Sequence, residues 1–187
     1  MKTRFTVIIA GAAGFMLAAA ATVSSAQDAV IGGMAGATFS DFSHPDTPSR
    51  WGFSGGLFGG VETYRTLNLF EVSYTQKGGK GARIDYVDLA LTAGGLTKSS
   101  NGSGGRGYAG FSVAFPVSCS TTSAPANGFC DNKQTEWAIP VGILLGKWNR
   151  NGGFVGIDAR YSIPLSDASL GVYNNTWLFR FVFGRLK

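Results

Sequence analysis

The stretch Glu136-Trp137-Ala138-Ile139-Pro140-Val141-Gly142-Ile143-Leu144-Leu145 decides how the chain is read. Trp137, Ile139, Val141, Ile143 and Leu145 make one apolar row, and Glu136, Ala138, Pro140 and Gly142 alternate with them. A period of two is the mark of a β-strand, whose successive side chains point to opposite faces. A proline inside it is tolerated only at a bulge or where the amide has no ladder partner.

Working outward, the same alternation predicts eight strands, at about 29–41, 51–64, 67–76, 82–93, 107–115, 135–148, 153–163 and 176–185. Trp51, Phe53, Leu57 and Val61 oppose Gly52, Ser54, Gly56, Gly60 and Glu62. Phe70, Val72 and Tyr74 oppose Glu71 and Ser73, and Val87, Leu89 and Leu91 oppose Tyr86, Asp88, Ala90 and Thr92. Later, Val155, Ile157, Tyr161 and Ile163 oppose Asp158, Arg160 and Ser162, while Trp177, Phe179, Phe181 and Phe183 oppose Leu178, Arg180 and Val182. Turn-forming residues separate the strands, as in His44-Pro45-Asp46-Thr47-Pro48, Gly78-Gly79-Lys80-Gly81 and Asn149-Arg150-Asn151-Gly152-Gly153. The Gly- and Ser-rich run from Gly94 to Gly107 reads as one long, loose connection.

Composition agrees with an all-β chain. Among 187 residues there are 28 Gly, 14 Phe and 4 Trp, and only 14% are charged. So many interior glycines would each cost a helix about 0.5 to 1 kcal/mol relative to alanine. Disordered, coiled-coil and collagenous classes are excluded. Two of the 16 Lys and Arg and none of the 11 acids lie in the first 26 residues, so the rest carries only a small positive charge. That balance points to no nucleic-acid partner.

The N-terminus reads as an export signal. Lys2 and Arg4 precede an apolar run from Phe5 to Ala21, and Ser24-Ser25-Ala26 supplies small residues for cleavage. Residues 1–26 are therefore expected to be a signal peptide and 27–187 a single barrel domain. Export makes a disulfide permissible, and Cys119 and Cys130 stand in a polar stretch that suits a loop-closing bond. Its loop, 116–134, is expected to be the longest outside the cell and distant from the barrel wall.

Alternation does not say whether the greasy faces point inward or into lipid, but side-chain size does. A closed eight-stranded barrel has an interior just wide enough to be filled by side chains, and these rows of Trp, Phe and branched residues would overfill it. The opposite faces hold Gly, Ala and Ser with Glu62, Glu71, Asp88, Glu136, Asp158, Arg160 and Arg180, which suits a narrow lumen where opposite charges pair. The fold expected is an all-β, single eight-stranded antiparallel transmembrane barrel, with lipid outside and a polar plug inside. Trp51, Tyr74, Trp137, Trp148, Tyr161 and Trp177 lie near strand ends, as an aromatic girdle requires.

Glu71-Val72-Ser73-Tyr74-Thr75-Gln76-Lys77-Gly78-Gly79 and Ile84-Asp85-Tyr86-Val87-Asp88-Leu89 resemble the end of the third strand and the fourth strand of the small porin-like outer-membrane β-barrels, the OmpA/OmpX-like group with its PorT-type members. Ile31-Gly32-Gly33, Ala37-Thr38-Phe39-Ser40 and Gly156-Ile157-Asp158-Ala159-Arg160-Tyr161-Ser162 are similar to that family's first and seventh strands. The resemblance implies this fold and an outer-membrane location; the protein is expected to be a monomer, and the partners expected there are outer-membrane lipid and, during assembly, the barrel-insertion machinery. That machinery usually reads a terminal aromatic, whereas this chain ends Phe183-Gly184-Arg185-Leu186-Lys187. No catalytic motif or cofactor is implied.

Enzyme chemistry has little to stand on. No glycine run opens a helix after a strand, so no nucleotide site is expected. A hydrolase would need the sole histidine, His44, beside Asp41 and Ser43 on a proline-flanked loop, where turn chemistry is the plainer role. The expected function is structural, adhesive or surface-binding, through extracellular loops. A narrow porin-like channel and a lipid-modifying enzyme are the alternatives.

Overall fold

The structure is a computed structural model and describes residues 28–43, 48–63, 65–79, 81–121, 130–149, 151–169 and 171–186. The expected signal peptide, Gln27, His44 and most of the Pro45–Pro48 turn lie outside the described residues.

Eight antiparallel strands close on themselves: β1 (Asp28–Phe42), β2 (Arg50–Glu62), β3 (Thr66–Gly79), β4 (Ala82–Lys98), β5 (Ser103–Thr121), β6 (Glu136–Trp148), β7 (Gly153–Pro164) and β8 (Asn174–Leu186). Each pairs with its sequence neighbour, and β1 closes the barrel against β8 from Val30↔Leu186 to Phe42↔Asn174. Closure leaves no edge strand in the barrel wall, the condition for strands to cross a bilayer with their backbone groups satisfied. Both described termini lie at one end, called here the terminal end; the other is the loop end. Turns at the terminal end are short, and Gly102 and Gly152 supply the positive φ they need. In the latter turn, Asn149 Oδ1 accepts from the amides of Asn151 and Gly153.

The apolar rows face outward. Ile31, Leu57, Leu91, Ile143, Leu145, Val155, Ile157, Phe181 and Phe183 are all exposed. Pro140 faces Ser162 on β7, while the ladder between β5 and β6 breaks between Ala109↔Val141 and Ser112↔Ala138, so the missing amide falls where pairing is interrupted.

The structure corrects four readings of the sequence. Gly94 to Gly107 is not a long connection: β4 and β5 pair through Leu96↔Arg106 to Lys98↔Gly104, leaving a tight turn at 99–102. Glycines there hide the alternation without preventing the ladder. Second, Pro116 to Thr121 belong to β5, which overhangs the loop end beside β4 beyond a register shift at Asp85/Tyr86. Cys119 thus lies in the wall opposite Ile84, and the Cys119–Cys130 disulfide fastens the following loop to the barrel. Residues 122–129 of that loop lie outside the described residues.

Third, Trp148 is not in the girdle. It points inward, 7% exposed against 63% for Trp51, and stacks on Phe154 at 5.6 Å. Fourth, the lumen is not polar throughout. At the terminal end Val30, Met34, Phe58, Leu67, Leu69, Leu96, Leu144, Trp148, Phe154 and Val182 form a buried apolar cluster. Here both faces of the wall are apolar, as in Leu57-Phe58 and Ile143-Leu144-Leu145. Gly32 makes the room, since a Cβ there would lie 2.3 Å from the Phe58 ring.

Candidate functional site

Above the apolar plug, alternation brings inward-facing charges from opposite walls together in the lumen. Asp158 on β7 and Arg180 on β8 are direct cross-strand partners. Arg180 donates to Asp158 Oδ2 from Nη2 at 2.5 Å and from Nε at 3.0 Å, and reaches across to Glu71 Oε2 at 3.3 Å. Arg160 donates from Nη2 to both oxygens of Glu71 on β3, at 2.6 and 2.8 Å. Tyr108 closes the ring, its hydroxyl donating to Asp158 Oδ1 at 2.5 Å and accepting from Arg160 Nε at 2.9 Å. Gly142 faces Tyr108, and a Cβ there would lie 2.6 Å from the phenolic oxygen. Arg106 donates to the carbonyl and hydroxyl of Thr92 at 3.0 and 2.9 Å and lies over the Tyr108 ring.

A second group lies toward the loop end. Lys77 Nζ reaches Asp88 Oδ1 at 3.3 Å and Glu136 Oε2 at 3.1 Å, beside the Tyr86 ring, and Asn174 Nδ2 donates to Glu136 Oε1 at 3.1 Å. Glu62 sits apart, paired with Lys98 at the terminal rim. Thus Glu71, Asp158, Arg160 and Arg180 share one lattice, Asp88 and Glu136 another, and Glu62 neither.

Lys77, Arg106, Tyr108 and Lys98 are missing from the sequence-derived set. Three of the four lie just beyond the expected strand ends at 76, 93 and 107, yet each continues the inward parity of its strand: Lys77 with Glu71, Lys98 with Thr92, Arg106 with Tyr108.

Desolvating a charge is expensive unless opposite charges and hydrogen bonds replace water. The lattice answers most of that demand by linking β3, β5, β7 and β8 across the lumen, leaving Arg180 Nη1 and Arg106 Nε buried without a hydrogen-bond partner. Between it and the apolar plug, a cavity bounded by Met34, Phe58, Arg106, Leu144, Arg160 and Arg180 among others holds about 10 Å³. That is about one water molecule's worth of room.

The girdle residues other than Trp148 gather near the loop end of the outer surface. Trp177 pairs in register with Phe39 and Tyr161, and Phe39 with Trp51, giving a continuous aromatic row over β7, β8, β1 and β2. Trp137 lies against Phe111 at 5.4 Å, and Tyr74 is exposed on β3.

The loop end itself is built. Phe42, Ala82, Ile84, Tyr86, Ala114 and Ala168 form a small core against which Cys119, Cys130 and Val172 pack. The β7–β8 connection folds over it: Leu165 N donates to Trp137 O, Gln134 N to Ala168 O, and Ser43 N to Tyr173 O, leaving Ala168 fully buried. Among the described residues no group of three or more His, Cys, Asp or Glu is arranged to hold a metal ion.

No protein-family model and no curated protein matches the chain. Solved structures do. Neisserial surface protein A superposes with a TM-score of 0.62 at 15% identity, covering 84% of this chain and 96% of that one. The outer membrane protein OprG from Pseudomonas aeruginosa superposes with a TM-score of 0.50 at 16% identity, covering 87% and 96%. The chain has the fold of the small, closed outer-membrane β-barrels, the architecture its third and fourth strands resemble in sequence.

Proposed function

We propose that the protein is a small bacterial outer-membrane barrel without an open pore, whose work is done by its loop end as a structural, adhesive or surface-binding element. The loop end is then extracellular and the terminal end periplasmic, the usual arrangement for an even number of strands with short turns on the periplasmic side. The supporting observation for a membrane location is the outer belt of exposed Phe, Leu, Ile and Val under an aromatic row, an apolar surface far beyond what a soluble monomer exposes.

The observation that carries the role is the filled lumen. The apolar plug and the Glu71–Arg160–Asp158–Arg180 lattice occupy the lumen at successive levels, which argues against the channel alternative. Binding is therefore assigned to the surface formed by the ends of β4 and β5, the Cys119–Cys130 disulfide and the β7–β8 connection. Planar-bilayer recording tests this. Purified protein that migrates as a folded, heat-modifiable species should add no conductance steps, and reproducible steps from it would return the channel reading.

A further inference from the structure

We propose that the outer face of β6, β7, β8 and β1 at the periplasmic end is a binding site for an anionic phospholipid of the inner leaflet, its phosphate held between Lys147 and Arg185. The inference rests on the membrane-spanning reading above. At positions of outward parity on these four strands the charged residues are Lys147 and Arg185 and, at the far end, Asp41. Both cations are exposed, and neither enters an ion pair among the described residues. They stand at the edge of an apolar belt whose own outward residues neutralise nothing.

The surface between them is recessed. A groove of about 520 Å³ runs over β6–β8 and β1 at the terminal rim, walled by Ile31, Val155 and Phe183 and by the two cations, with the edges of Trp148 and Phe154 of the plug reaching it at the rim. Gly153, with no side chain, is the β7 partner of Arg185, and Val155 joins Lys147 to Phe183 in register. Lys147 and Arg185 are thus two strands across and two residues along from each other, roughly 12 Å at the usual strand spacing and rise. Extended lysine and arginine side chains can close that gap onto one phosphate above Gly153. Arginine offers it a planar fork and lysine a point charge. An acyl chain then lies along Val155 and Phe183 toward the middle of the belt. A zwitterionic lipid finds the same apolar groove, but its headgroup cation offsets the phosphate. The site therefore selects by net headgroup charge.

The test is native mass spectrometry of the full-length barrel released from micelles holding equal phosphatidylglycerol and phosphatidylcholine of the same chain length. Each surface cation near an anionic headgroup is worth about a fivefold preference. Wild-type protein should keep phosphatidylglycerol over phosphatidylcholine, Lys147→Gln or Arg185→Gln should each lower the preference about fivefold, and the double variant should abolish it. Lys147→Arg and Lys133→Gln should retain it. Equal retention of both lipids by wild type, or a preference surviving in the double variant, overturns the site. Loss of bound phosphatidylglycerol to excess soluble glycerol phosphate would show a free-phosphate site and also overturn it. A chain that gives no heat-modifiable folded species in micelles fails earlier, at the membrane-spanning reading itself.

Discussion

β7 supplies Phe154 to the apolar plug and, four and six residues on, Asp158 and Arg160 to the ionic lattice, so the two fillings of the lumen share one wall and differ only in chemistry. The plug gains from area removed from water and asks mainly that volume be conserved. The lattice asks that every partner be present, because a buried charge without its counterpart is costlier than no charge at all. The outer surface adds a third environment, apolar like the plug but solvated by lipid. Substitutions should therefore rank by environment rather than by size.

The largest effect is expected in the lattice. Arg180→Met removes the closest cation from Asp158, leaving it Tyr108 and the more distant Arg160, and takes one of two from Glu71; it should destabilise the barrel by about 3 to 5 kcal/mol, measured by urea unfolding in lipid vesicles. Asp158→Leu combined with Arg180→Met should cost less than Arg180→Met alone; strictly additive costs would show that the two do not interact. Next, Val141→Arg on the lipid face near mid-height should cost roughly 2 to 4 kcal/mol, whereas arginine at rim position Trp51 should cost roughly 0 to 1 kcal/mol. Equal costs at the two depths would contradict the lipid-facing assignment.

Replacing both Cys119 and Cys130 by serine opens a ring whose ends are 11 positions apart. In the entropic account such a ring contributes on the order of 3 kcal/mol. Because Cys119 belongs to the β5 wall, the loss should reach the overhanging ends of β4 and β5 as well as the loop, read as faster hydrogen exchange at Ile84 and Cys119→Ser. Membrane insertion should survive. The smallest effect belongs to the plug: Leu144→Met conserves volume and should cost under about 1.5 kcal/mol. A larger loss would mean the plug is as exacting as the lattice.

Strand number, order and the outward faces of β2, β3, β6 and β8 follow from period-two alternation, and there the sequence is legible. It becomes illegible where the alternation is quiet or doubled. Gly94-Gly95 and Gly104-Gly105 carry no side chains to alternate, so a continuous ladder looks like a loop. Ending the strands early at those points hides Lys98 and Arg106, and ending β3 at Gln76 hides Lys77. At the terminal end, Leu57-Phe58 and Phe154-Val155 are apolar on both faces, so nothing local says which of them fills the lumen. Trp148 illustrates this: a strand-end tryptophan suits a girdle, but its parity with Leu144 turns it inward, where it stacks on Phe154 beneath Lys98. Pairing across the lumen, such as Glu71 with Arg160, depends on closure and is invisible to any local pattern.

The division between inside and outside is tested most directly by tryptophan quenching in vesicles of brominated phospholipid. Four variants, each keeping one tryptophan and replacing the others by phenylalanine, compare Trp51, Trp137 and Trp177 with Trp148. The structure predicts strong quenching of the first three, whose rings lie on the lipid face, and weaker quenching of Trp148, 7% exposed and held in the plug between Lys98 and Phe154. Quenching of Trp148 as strong as that of Trp51, in protein shown to be folded by heat-modifiable migration, would contradict the assignment of faces on which the closed, lipid-facing barrel rests.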